Sequence, residues 1–164
     1  SCRRPRRPPG RVCSIRRGVL DGMRMTSDLQ ALARPFPDRL IKKNPTGFGQ
    51  YVKHSVVVEK LLATVGPFDY RIVELIRGDT NDLMNVVVGC IAELTVTIDG
   101  RPTTVQEVGD CERPENWPHD GARAKDCSSD AIKRCAMRLG VGIHLWSGDD
   151  FALARALDRN AADE

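Results

Sequence analysis

From Val86 to Ile98 every second residue is apolar: Val86, Val88, Cys90, Ala92, Leu94, Val96 and Ile98. A period of two is that of a strand with one buried face. Asp99-Gly100 follows directly and has the sequence of a tight two-residue hairpin turn, after which "PTTVQEVGD" returns as a partner strand. Upstream, "YRIVELIR" (70–77) is rich in β-branched residues and predicts another strand. On either side the period changes. "SVVVEKLLATVG" places Val58, Leu61, Leu62 and Val65 at helical spacing, with Ser55 as the expected cap and Gly66 as the stop. Between Ala122 and Leu139 a stripe of Ala124, Cys127, Ser128, Ala131, Ile132, Cys135 and Leu139 predicts a long helix, ended by Gly140. Its stripe is mostly small, so this helix is expected to sit close to the sheet. "SDLQALA" predicts a short N-terminal helix capped by Thr26 or Ser27 and ended by Pro35 and Pro37. "DRLIKKNPTGFGQYV" reads as loop or short strand, "CERPENWPHDG" as an exposed polar loop, and Asp150 as the start of a last short helix. The order predicts an α+β fold: a three-stranded antiparallel meander packed on a long C-terminal helix, with an N-terminal helix.

Composition adds limits. The 164 residues suffice for one domain with a core. Aromatics are 5%, so base stacking is not expected to be the main means of binding a ligand. The net charge of +3 hides an asymmetry. Residues 1–24 hold eight arginines and one acid, which leaves 17 of the 25 basic residues against 21 of the 22 acidic ones, a net −4, from Met25 on. The first 24 residues are rich in Arg and Pro and lack an apolar period; they read as a disordered extension, either a nucleic-acid-binding arm or a segment with no folded role. Met25 is a candidate translation start. Beyond this tail, any polyanion binding must come from a local patch. No apolar run follows the basic start, so no secretory signal is expected, and "MNVVVGCIAELTVTI" is too short and too broken by Glu93 to span a membrane. The six cysteines form no CxxC pair, and reduced thiols in a cytoplasmic protein are expected.

The long helix also carries cations. Lys133 falls roughly opposite the small stripe, Arg123, Arg134 and Arg138 lie along one flank, Lys125 lies on the other, and Asp130 is placed to pair with Arg134. Two readings fit. The cations solvate an outer helix face, or they form a phosphate-contacting row that gives affinity without sequence preference. Helical periodicity alone does not separate the two.

"KDCSSDAIKR", Lys125 to Arg134, resembles the helix of the Rad-fifty-two single-strand annealing proteins and their phage Sak-type relatives, whose pattern also ends in a glycine matched by Gly140. "VVVGCIAELTVTIDGRPTTVQEVGDC" is similar to the family's central hairpin, and "YVKHSVVVEKLLATVG" to the helix before it. The likeness runs from about Pro37 to Phe151. It implies an annealing domain, taken as 25–157 and followed by a short polar tail at 158–164. It further implies assembly into a homo-oligomeric ring or helical filament, and single-stranded DNA held by its backbone with the bases open for pairing. Position by position, the resemblance carries DNA contact to Lys133 and Arg134, then to Lys125 on the same helix and to Lys43 on the other side of the groove. Arg138 and Arg123 join them as further expected contacts. Met137 stands where relatives can have an arginine, and the loop after Asp110 is longer and more acidic than its counterpart. The chain ends soon after the matched region, so the mediator role tied to a long eukaryotic tail is not implied. Single-stranded DNA-binding protein is a further candidate partner. The implied setting is the cytoplasm of a prokaryotic or phage-infected cell, near the nucleoid, in recombination and repair.

No GxxxxGK[ST] loop is present, so ATP-driven strand exchange is disfavoured, and no cofactor is expected. Two other functions compete. A Mg²⁺-dependent nuclease would use Asp99, Glu107, Asp110 and Glu112 near the hairpin, although no acid-x-Lys signature follows them. A double-stranded RNA-binding module also packs helices on a three-stranded sheet. His54, His119 and His144 have no ligand spacing.

Overall fold

The structure, a computed structural model, describes residues 27–45 and 49–147. The Arg-rich extension, Thr26, Cys2, Cys13, the helix expected from Asp150 and the C-terminal tail lie outside the described residues. The elements in order are α1 (Ser27–Ala33), β1 (Lys42–Lys43), β2 (Gln50–Tyr51), α2 (His54–Val65), β3 (Asp69–Gly78), β4 (Val86–Ile98), β5 (Arg101–Asp110), α3 (Asp120–Arg138) and α4 (His144–Ser147). Strands β3-β4-β5 form an antiparallel sheet, β1 and β2 pair as a separate small hairpin, and α3 lies across one face of the larger sheet. The fold is therefore α+β, as the change of hydrophobic period predicts. No helix among the described residues is long and apolar enough to cross a membrane.

The turn between β4 and β5 follows its sequence. Asp99 and Gly100 have φ of 46° and 77°, the doubly left-handed geometry of a type I′ turn. The strand pattern needs a correction at its start. Val87, not Val86 or Val88, is buried, because the β3–β4 register shifts between Ile76↔Gly89 and Arg77↔Val87 and leaves Val88 as an extra residue. A second shift, between Ile72 and Glu74, does the same at Val73. Each bulge adds one residue and so reverses which side chains face the core.

Helix α2 starts one residue before its expected cap. Lys53 occupies the cap position with no side-chain hydrogen bond, and Ser55 lies within the first turn. Its buried face is Val57 and Leu61, while Leu62 is exposed and Val58 borders an open groove. The stripe of α3 is close to that expected: Cys127, Ala131, Ile132, Cys135 and Leu139 are buried, joined by Ala136.

The core divides along α3. Under its first half lie small side chains, with Cys90, Ala92 and Val87 of β4 against Cys127 and Ala131. Under its second half α1 and α2 add larger ones, so Leu32, Phe36, Val57 and Leu61 join Leu94, Val96 and Leu139. Gly109 of β5 makes the close half possible. A Cβ placed there would lie 2.1 Å from the Cys127 carbonyl oxygen and 2.7 Å from the Ala131 backbone nitrogen. The backbones of helix and strand are thus in direct contact, which fixes α3 rigidly on the sheet.

Strand β3 extends past this cover. Ile72, Val73 and Leu75 are all at least 40% exposed. The four described cysteines are reduced and buried, and burial raises each thiol above its ordinary range.

Candidate nucleic-acid interface

Because α3 is fixed by its buried side, its outer flanks are presented in set directions. Lys133 and Arg134 border one cleft, together with Asp130, Met137, Gln50 and Tyr51. The β1–β2 hairpin forms the other wall. Its register sets Lys42 opposite Tyr51 and Lys43 opposite Gln50, and both lysines are exposed. The resemblance implies Lys43 across a groove from Lys133 and Arg134; the hairpin lines the cleft with Gln50 and Tyr51, and Lys43 is on the paired strand, not in the lining. Lys42, Gln50 and Tyr51 were not singled out by sequence; the pairing that brings them in is set only when the loop folds back.

Asp130 organises the two helix cations. Arg134 Nε donates to one carboxylate oxygen at 2.7 Å, and Lys133 Nζ lies 3.7 Å from the other. The Asp110 amide at the end of β5 also donates to Asp130, at 3.3 Å. The hydrogen bond from Arg134 to Asp130 holds that guanidinium further above its usual range. Asp130 therefore orients both cations and also competes with any anion that approaches them. Such half-exposed pairs contribute little to stability by themselves.

The other expected contacts separate. Lys125 lies in a different groove, with Ser129, Ile132, His54, Val58 and Ile72, that shares no lining residue with the first. Arg138 is mostly exposed and donates to Glu107 of β5. Arg123 needs correcting outright, because it is only 6% exposed. Its guanidinium donates to the carbonyls of Pro114 (2.8 Å) and Trp117 (2.8 Å) and to the carboxylate of Asp120 (3.0 Å). It fastens the loop after β5 to the start of α3, so that loop is pinned and not simply exposed. The Asp120 carboxylate also accepts from the Val87 amide and from Arg77, and these bonds hold it below the usual carboxylate range, the Val87 amide most of all. Arg123→Ala is expected to remove the side-chain donor from the Trp117 carbonyl and one donor each from the Pro114 carbonyl and the Asp120 carboxylate, and to cost about 2–3 kcal/mol in thermal or denaturant unfolding. Arg123→Lys should recover little of this, since a point charge cannot reproduce the fork.

The carboxylates proposed for a nuclease do not converge. Asp99 and Asp110 stand at opposite ends of β5, separated by about 30 Å of strand, and Glu107 is engaged by Arg138. Among the described residues no group of three or more His, Cys, Asp or Glu could hold a metal ion. His119 caps α3, its Nδ1 accepting from the Ala122 amide at 3.2 Å, and His144 Nε2 accepts from the Phe36 amide at 3.4 Å.

Neither a protein-family model nor a curated protein matches the chain. A rigid helix brings Lys133 and Arg134, and a short hairpin brings Gln50 and Tyr51, to the walls of one shallow cleft, while Lys42 and Lys43 are exposed on the strand paired with Gln50 and Tyr51.

Proposed function

We propose that this chain binds single-stranded DNA and anneals complementary strands without ATP, in recombination and repair. The observation that carries the reading is the pairing of Lys133 and Arg134, on a helix in backbone contact with its sheet, with a lysine-bearing hairpin across the same cleft. Annealing requires phosphates to be held while base edges stay open. Cations on stiff elements do this, and binding then draws on counterion release. The likeness of "KDCSSDAIKR" to the annealing helix supports the same assignment.

A self-assembled ring or filament belongs to this proposal. What supports it is the uncovered part of β3, where Ile72, Val73 and Leu75 are exposed at a sheet edge. Beside it lies an open groove of about 600 Å³ bordered by Tyr70, Ile72, Val58 and Ile132. An open edge with apolar side chains is a ready template for another chain.

The test is salt-dependent binding of a labelled single strand, with annealing of complementary strands followed in the same buffer. Lys133→Ala combined with Arg134→Ala should weaken binding and lower the slope of log K against log salt by about 1.4, the value for two lost phosphate contacts on a single strand. The sedimentation profile should not change. An unchanged slope in a folded double mutant removes the site, and preference for duplex RNA over single-stranded DNA removes the function.

A further inference from the structure

The cleft that holds Lys133 and Arg134 ends on an aromatic side chain. Trp146 borders it and is 68% exposed, and Tyr51, 37% exposed, borders it as well. The short helix α4 that presents Trp146 is anchored by the two residues before it. Leu145 packs against the main core, and His144 Nε2 accepts the Phe36 amide. The indole is thus held out from a fixed backbone. The cleft encloses only about 50 Å³, so a planar ligand would lie against its wall and not inside it.

We infer that Trp146 is a nucleobase-stacking subsite beside the phosphate-binding pair, taking one base of a single-stranded nucleic acid per chain. The inference rests on the proposed function and deepens it. An exposed indole gains when a flat apolar partner covers it, and a base offers such a face whatever its sequence. The neighbouring cations select the polyanion that carries the base. Of the two aromatic side chains that border the cleft, Trp146 is the larger and the more exposed, which makes it the stacking position. One anchored base among several free ones would fix the strand's position along the groove and still leave neighbouring bases open for pairing.

The test uses the full chain and two probes of equal length, an oligo-dT and an abasic oligonucleotide. Trp117→Phe leaves Trp146 as the sole tryptophan, and in that protein oligo-dT should quench the fluorescence while the abasic probe quenches it much less. Trp146→Ala should weaken oligo-dT binding about tenfold or more, with abasic binding and the salt slope unchanged. Trp146→Phe should restore most of the loss. Equal losses for both probes, or binding by anisotropy without quenching, would overturn the subsite and leave the annealing proposal standing. If neither probe binds, the annealing proposal falls and the subsite falls with it.

Discussion

Gly109→Ala is expected to destabilise the domain by about 3 kcal/mol or more, a loss of roughly 10 °C in melting temperature. The added methyl would overlap the Cys127 carbonyl oxygen and the Ala131 amide, and neither can turn aside as a side-chain tip could. Helix α3 would have to lift from β5, opening the small-residue layer around Cys90, Ala92 and Ala131. Ala131→Gly, which removes the only side chain in that clash, should not rescue the variant, because the backbone contact at 2.1 Å remains. Gly100→Ala is the useful contrast. Its Cβ would meet nothing within 4 Å, and only its left-handed φ of 77° is unfavourable, so about 1 kcal/mol is expected. Equal effects at the two glycines in denaturant titrations would contradict the close-contact account.

The second large effect is alkaline unfolding. Cys90, Cys111, Cys127 and Cys135 are at most 3% exposed. Burial first, with nearby negative charges second for most of them, raises Cys111 and Cys135 to about 11 and Cys127 to about 12, from an ordinary value near 9. A group whose pKa is higher in the folded state gives stability that is complete below its unfolded pKa and is lost as pH rises through the folded one. Stability should therefore begin to fall near pH 9. Each thiol contributes a slope of about 1.4 kcal/mol per pH unit until it ionises in the folded chain as well. Tyr70, which burial raises to about 12, adds a further loss above pH 10. Lys60 acts in the opposite sense. Burial and then Arg34 lower it to about 8, so its contribution becomes more favourable between pH 8 and 10.5. One half-exposed amine does not balance four buried thiols and a phenol. Urea unfolding at pH 7.5, 9 and 10.5 should show the decline, with a shallower one in Cys127→Ala; a level profile would refute it.

The sequence made the sheet and the long helix legible because both rest on local signals. Alternation, Asp99-Gly100 and the small stripe each specify their element within a few residues. The bulges at Val73 and Val88 were not legible, because runs such as Val86-Val87-Val88 are apolar in either register and only the partner strand chooses. Ser55 does not cap α2 because the first backbone bonds of the helix run to the Lys53 carbonyl, which places Ser55 inside the first turn. At the candidate site Lys133 and Arg134 were singled out through resemblance, and the cleft that joins them to Gln50 and Tyr51 is a product of tertiary structure. Arg123 carries the opposite lesson. On a helical wheel it is one more flanking arginine; the carbonyls that claim it come from a loop with no periodic pattern. Trp146 gave no local signal either, since exposure is decided by the turn that follows α3.

The meeting of α1 with the end of α3 has a consequence for how the chain acquires its structure. A Cβ at Gly140 would lie 3.2 Å from that of Ala33, and Leu32 and Phe36 are buried with Leu139 and Val141. Phe36 and His144, joined by a hydrogen bond, are 108 residues apart. During synthesis at about 5–20 residues per second, α1 meets α2 early but waits roughly 5–20 s for the residues that follow α3. Through that interval the core around Leu32 and Phe36 lacks its Leu139 and Val141 side, and the nascent chain exposes apolar surface to chaperones and to neighbouring chains. Such long-range closure also slows refolding of the finished protein.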